Sequence, residues 1–293
     1  MPTPSLAPSE PSPPCPAAPG HLPGGQPSVL PNAGSLAELL RLLGLSRSEC
    51  DLPALPPCVR VLRIRPDATL LHEGTPGRAV YVVRSGTFKC VRMLEDGDEQ
   101  VLSFAQAGEL LGFEALHGGA RRCSAVALED ATAYALALGE LHELQRRCPA
   151  FGDALRHGLS RQLTLAAETA EMVSTSSADA RLARFVLWSS ARMAQAGHSP
   201  TRFRLRMGRR DIASLLRLAN ETVSRSFSLL ADSGCLRVAG REIEVLDLAA
   251  LRERARNTRI PPSDTARQRS MPTGDGLPGI GHWWTGSAAR LAA

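Results

Sequence analysis

RRDIASLLRLANETVSRSFSLLADSG, residues Arg209–Gly234, holds two short apolar-striped segments a few residues apart. In the first, Arg209–Leu218, Ile212, Leu215 and Leu216 form one stripe at helical spacing, and Ala213 is small enough for a close helix crossing. Leu218-Ala219 reads as a short turn. Asn220 reads as the N-cap of a second helix that buries Val223, Phe227 and Leu230 and stops at Gly234, which takes a left-handed terminating conformation without a Cβ clash. Two short helices joined by a tight turn predict a helix-turn-helix. The next stretch, CLRVAGREIEVLD (Cys235–Asp247), alternates about Ala239-Gly240 and predicts a β-hairpin, the wing of a winged helix.

Glu221, Ser224 and Arg225 share the first turn of the second helix. In a helix-turn-helix that turn enters the major groove. There a carboxylate accepts from the cytosine amino group, Arg grips guanine O6 and N7, and a Ser hydroxyl suits several bases or a phosphate. The alternative is a solvated i,i+4 ion pair worth roughly 0.2–0.5 kcal/mol. The turn before it and the wing after it favour base readout. Asn220 and Thr222, beside these residues, are candidate backbone contacts. Arg202, Arg204, Arg206, Arg209 and Arg210 lie upstream with Asp211 as the only nearby acid, a run placed to neutralise phosphates. Double-stranded DNA is the expected partner.

Composition is consistent with this and does not require it. The 293 residues carry a formal net charge of +5 with an apolar fraction of 43% and a pI near 9.0, a mild basicity shared by many proteins with neutral ligands. No run approaches the ~20 apolar residues of a membrane span. The N-terminus lacks the basic and apolar regions of a secretory signal, so the chain reads as cytoplasmic. Seven cysteines (Cys15, Cys50, Cys58, Cys90, Cys123, Cys148 and Cys235) are dispersed with no C-x-x-C, which argues against a disulfide framework or a tetrathiolate metal site. Cys123 and Cys148 each follow an Arg-Arg pair, a setting that lowers a thiol pKa.

The chain divides by composition into five stretches. Residues 1–34 are Pro-, Gly- and Ser-rich and read as disordered. Residues 35–148 read as a β-barrel domain. They open on SLAELLRLLGL, with Ser35 as N-cap and Glu38 at N3 in a capping-box arrangement. From about Val59 to Leu138, short strands follow between turn pairs at Pro76-Gly77, Ser85-Gly86 and Asp96-Gly97. Residues 149–177 read as one long helix. Its apolar positions Phe151, Leu155, Leu159, Leu163, Ala166, Ala170 and Val173 either pack on the adjacent sheet or form the seam of a dimer, with Leu155 to Val173 as the seam. Residues 178–250 hold the winged helix, and 251–293 a helix end and a disordered tail. The fold class is α+β.

VVRSGTFK (Val82–Lys89), GDEQVLSFAQAGELLGFEAL (Gly97–Leu116), RLARFVLWSSARMAQAG (Arg181–Gly197) and ETVSR (Glu221–Arg225) resemble the CRP/FNR superfamily of bacterial transcription regulators, FNR branch, over roughly residues 45–250. The resemblance implies a double-stranded β-helix sensor domain of the cyclic-nucleotide-binding type, a dimerisation helix and a winged helix. It also implies a non-enzymatic homodimer that binds TTGAT-like inverted repeats, with RNA polymerase as a further partner. Carried onto this chain, Arg225 contacts guanine, Glu221 cytosine, and Ser224 thymine or the backbone.

The departures concern the input. FNR-type sensors hold a 4Fe–4S cluster through cysteines in a C-x2-C-x5-C spacing plus one in the sensor domain. Here Pro31, Gly34, Leu40 and Tyr134 fall at those positions, so no such cluster, and no other metal site, is expected. Cyclic-nucleotide-binding relatives use a Gly-Glu-Leu turn and an Arg-Ser pair around the cyclic phosphate. Gly108-Glu109-Leu110 is present, but the loop to Arg121-Arg122-Cys123-Ser124 is longer and Cys123 displaces the hydroxyl. A strand-loop-strand corner without a ligand is the simpler reading. His72, His117, His142 and His157 are conceivable haem ligands, so haem and cyclic nucleotide both stay open. Two other readings are carried: a cupin-like small-molecule protein, which lacks the His-x-His it needs, and a DNA-binding regulator with no ligand.

Overall fold

The computed structural model describes residues 26–31, 34–45, 59–174 and 177–256. The expected disorder of residues 1–25 and 257–293, and Cys15, Cys50 and Cys58, lie outside the described residues. Alternating burial along short segments builds two facing antiparallel sheets. One contains β1 (Ser28–Leu30), β2 (Val59–Ile64), β4 (Ala79–Ser85), β7 (Leu110–Leu111) and β9 (Ala131–Ala137) in the order β1-β2-β9-β4-β7. The other contains β3 (Thr69–Leu71), β5 (Phe88–Met93), β6 (Glu99–Ala105) and β8 (Ser124–Ala127) in the order β3-β8-β5-β6. Gly86 and Gly97 turn the chain at φ +84° and +86° between β4, β5 and β6, where the sequence placed turn pairs. This is the expected double-stranded β-helix. One expectation is corrected: within residues 1–34, Ser28–Leu30 is not disordered but pairs with Arg63–Val61 at the sheet edge.

Helix α1 (Leu36–Leu42) starts as predicted, the Ser35 hydroxyl accepting from the Glu38 amide at 3.1 Å. The reciprocal half of the capping box is missing. Glu38 instead accepts from Arg84 Nε at 2.8 Å and from the Tyr134 hydroxyl at 2.7 Å, because two stronger donors outcompete its own helix end.

Helices α2 (Leu138–Arg147) and α3 (Pro149–Ser174) follow the barrel. The first turns of α3 belong to the sensor core: Phe151, Ala154 and Leu155 pack with α1 and the β1-β2-β9-β4-β7 sheet. At Gly158 a Cβ would stand 3.0 Å from Leu43, so glycine permits the close approach. Beyond it the helix leaves the barrel. The residues read as one seam therefore divide: Leu155 is buried in its own domain, Leu159 and Val173 are half-buried, and Leu163, Ala166 and Ala170 are exposed, Leu163 by 74%.

The C-terminal domain comprises α4 (Ala178–Gln195), β10 (Arg202–Arg204), α5 (Arg209–Leu216), α6 (Asn220–Asp232), β11 (Leu236–Ala239), β12 (Glu242–Val245) and α7 (Leu248–Arg256). Its core gathers Ile212, Leu216, Val223, Phe227 and Leu230, each fully buried apolar side chain contributing roughly 1.5–3 kcal/mol. That core also takes in Val91, Val101 and Phe104 from the barrel, so α5 lies directly on β6. Ser214 Oγ accepts from the Val101 amide at 2.8 Å, and Lys89 Nζ lies 3.3 Å from Asp211.

Candidate nucleic-acid interface and sensor cavity

The helix-turn-helix is built from α5, a tight turn and α6. Arg217 ends α5 in the left-handed region at φ +54°, one residue before the turn read from sequence. The N-cap of α6 is Ala219, not Asn220. Asn220 is the first helical residue, and its carbonyl accepts from Ser224 Oγ at 3.0 Å. The correction arises because Ala219 already has the extended backbone of a cap, at φ −69° and ψ 149°, so the helix begins one residue early, without a side-chain cap. The far end closes as predicted: Gly234 has φ +72°, and the Cys235 amide donates to the Leu230 carbonyl at 3.0 Å.

Val223, Ser226, Phe227 and Leu230 face inward, which turns Glu221, Ser224 and Arg225 together to solvent, with Thr222 half-buried beside them. No ion pair joins Glu221 to Arg225 among the described residues. The solvated-pair alternative thus has no geometric support, and three chemically distinct groups stand on one open face.

The upstream arginine run is the main correction. In sequence Asp211 was its only nearby acid; in space the wing supplies more. Residues 202–204 are not an open basic segment but strand β10, paired with β12. Arg202 lies 2.6 Å from Glu244, Arg204 lies 3.7 Å from Glu242, and Arg206 lies 3.3 Å from Glu129 of the barrel. Arg209 lies over the Phe227 ring at 3.4 Å and donates to the Gly240 carbonyl at 3.1 Å; half-burial depresses its pKa. Arg210 alone of the five is exposed without such a partner. Sequence reading missed the exposed Arg217 in the turn and Arg237 in the wing. Arg237 shares Glu244 with Arg202, and the two guanidinium groups hold that carboxyl below the usual glutamate range.

Because Glu244 bridges two surface arginines, Glu244→Gln releases both for phosphate contacts. The slope of log K against log salt for non-specific duplex should then steepen by roughly 1–2 per protomer, measured by fluorescence anisotropy titrations.

On the input side, the four positions aligned with cluster thiolates do not fit a Cys-ligated cluster. Leu40 is buried in the α1 core and Tyr134 is fully buried. A Cβ at Gly34 would stand 2.4 Å from the Tyr134 oxygen, so the phenol fills the space between them. Burial and the Glu38 carboxylate push Tyr134 up to about 12. The phenol is therefore neutral as a hydrogen-bond donor, an arrangement whose stabilisation is lost only as pH rises from about 10 through about 12.

A cavity of about 350 Å³ lies between the barrel, α3 and α4, lined among others by Cys90, Arg92, Phe104, Cys123, Leu165 and Trp188. Of the residues at the corner aligned with a cyclic-phosphate site, Glu109, Arg122 and Cys123 line this cavity, whereas Arg121 and Ser124 bond to other groups. Glu109 is buried 2.5 Å from Arg192 of α4, and Arg161 lies at 4.0 Å. Arg121 is buried, donates to the Ala79 carbonyl at 3.2 Å and lies over Tyr81. Ser124 Oγ accepts from the Glu73 amide at 3.0 Å. Among the haem candidates, His157 Nδ1 bonds the Leu43 carbonyl at 2.9 Å. Among the described residues no cluster of three His, Cys, Asp or Glu side chains is placed to hold a metal ion, and no helix is long and apolar enough to cross a membrane.

The chain matches the model of the cyclic nucleotide-binding domain over residues 61–148 and that of the Crp-like helix-turn-helix domain over residues 180–254. It is 35% identical over 196 residues to the fumarate and nitrate reduction regulatory protein of Escherichia coli (strain K12), covering 67% of this chain and 78% of that one. It is 34% identical over 192 residues to the transcriptional regulatory protein btr of Bordetella pertussis, covering 66% and 79%. Of solved structures, FixK2 from Bradyrhizobium japonicum is similar at a TM-score of 0.58 and 27% identity, covering 67% of this chain and 96% of that one.

Proposed function

This chain belongs to the CRP/FNR superfamily of DNA-binding transcription regulators, and from that premise we propose that it acts in the cytoplasm as a homodimer on TTGAT-like inverted repeats. The carrying observation is the open face of α6, where Glu221, Ser224 and Arg225 point outward with no ion pair between acid and guanidinium. Arg225 reads guanine and Glu221 cytosine, while Arg210 and Arg217 are the arginines free to grip phosphate. Dimerisation is supported by the far half of α3. Its Leu163, Ala166 and Ala170 leave an apolar strip that a second copy of the same helix would cover. The protein is a regulator rather than an enzyme, with RNA polymerase as the partner that converts binding into output. Its input uses no Cys-ligated cluster, and Cys123 in place of the phosphate-binding hydroxyl, after a longer loop, favours an effector other than a cyclic nucleotide.

A gel-shift titration with a TTGAT inverted repeat and a scrambled duplex tests this reading. The repeat should bind at least about 10³-fold tighter at physiological salt. Equal binding of the two duplexes would overturn it.

A further inference from the structure

Two thiols meet in the sensor cavity. Strands β5 and β8 are antiparallel neighbours, with Cys90 opposite Ala125. Cys123 immediately precedes β8, two residues from that partner, so it falls on the same face as Ala125 and on the Cys90 side of the sheet. Both are free thiols and both line the 350 Å³ cavity; Cys90 is buried and Cys123 half-buried. The two are chemically unequal. The neighbouring Cys90 thiol lowers the pKa of Cys123 and Arg92 acts in the same direction, while burial, Glu114 and Glu73 oppose it. Cys90, beside Cys123 and deeply buried, is held well above the ordinary thiol range. A half-buried thiol of lowered pKa, lining a cavity beside a protonated partner, is the arrangement in which one sulfur reacts and the other resolves.

We propose that Cys123 and Cys90 are a reversible oxidation site for hydroperoxides, Cys123 reacting first and Cys90 closing a disulfide. The Cys123 thiolate attacks the terminal peroxide oxygen and the O–O bond breaks. The departing alkoxide or hydroxide takes up a proton, leaving Cys123 as a sulfenic acid. The Cys90 sulfur, giving up its proton, then attacks the Cys123 sulfur; the S–O bond breaks and the hydroxide leaves as water. The balance is one hydroperoxide and two thiols to one disulfide, one alcohol (water, for hydrogen peroxide) and one water. The apolar lining from Leu102, Phe104, Phe113 and Leu165 suits an alkyl hydroperoxide as well as hydrogen peroxide. Leu165 and Trp188, from α3 and α4, border the same cavity, so the chemistry takes place where sensor, long helix and DNA-binding domain meet.

The test uses the reduced full-length protein, treated with equimolar hydrogen peroxide or cumene hydroperoxide, alkylated with N-ethylmaleimide and mapped by mass spectrometry. A Cys90–Cys123 cross-linked peptide with either peroxide, removed by dithiothreitol, is the expected result. Recovery of both cysteines as alkylated thiols with both peroxides would overturn the proposal. Order is read with dimedone, which traps sulfenic acid: Cys90→Ser should accumulate the adduct on Cys123, and Cys123→Ser should show none on Cys90. An adduct on Cys90 in Cys123→Ser would reverse the roles and sink the assignment. Should either variant fail to fold, the wild-type peptide map still decides.

Discussion

Arg225→Ala is expected to abolish discrimination at one base pair of each half-site while leaving non-specific binding to duplex largely intact. Arg225 stands exposed on the first turns of α6, and no carboxylate of the described chain pairs with it. A bidentate guanidinium–guanine contact is worth about 1–3 kcal/mol, and a two-fold dimer makes it twice. The loss is then about 2–6 kcal/mol, or from about 30-fold to about 10⁴-fold in affinity for an intact inverted repeat. Gel-shift titrations against duplexes altered singly along the half-site check it. The variant should bind the guanine-substituted and intact sites equally, and Arg225→Lys should recover charge but not the preference, because an ammonium lacks the planar fork. A uniform loss across all duplexes would instead make Arg225 a phosphate contact.

Arg192→Met is expected to be the most destabilising single substitution at the domain boundary. Arg192 of α4 is 7% exposed and lies 2.5 Å from Glu109, itself 3% exposed; the Trp188 ring and Gln106 hold its guanidinium in place. Removing one partner strands a buried carboxylate, which typically costs about 3–5 kcal/mol. Arg161, 4.0 Å from Glu109, offsets part of this. Burial raises the Glu109 pKa and Arg192 lowers it again. Without Arg192 the folded pKa rises further above that of the unfolded chain. A carboxyl raised in the folded state binds its proton there more tightly, so stability declines as pH climbs above the ordinary glutamate range. The deficit of Arg192→Met should therefore be larger at pH 8 than at pH 5 in chemical denaturation, and the double variant Glu109→Gln, Arg192→Met should recover much of it. A deficit independent of pH would assign the loss to packing around Trp188 instead.

Legibility differed between the two ends of the molecule. The helix-turn-helix was readable because its cues are local. The Ile212–Leu216 stripe, the small Ala213 and the Gly234 terminator act within a few residues, and they produce α5 and α6 nearly where expected. The single-residue shift of the cap to Ala219 has the same origin, since adjacent positions compete for the cap on small backbone preferences. Glu221, Ser224 and Arg225 share an outward face because inward-facing Val223 and Phe227 set the rotation of α6, and that periodicity is printed in the sequence.

The arginine run was legible as charge and illegible as electrostatics. Residues 202–206 show no acid along the chain, yet β12 returns about forty residues later with Glu242 and Glu244 in cross-strand register. The strand at Ser28–Leu30 is hidden for the same reason: three residues have little intrinsic preference, and its bonding partner is the distant edge at Val61–Arg63.

The order of elements, the winged helix and the chemistry on the face of α6 follow from local cues, because propensity, periodicity and turn chemistry act over a few residues. Long-range packing set which arginines are neutralised, closed Glu109 on Arg192 across two domains, and brought Cys90 and Cys123, thirty-three positions apart, to one cavity. Coulomb forces and burial depend on distances of a few ångströms in space, and sheet register, not separation along the chain, sets those distances.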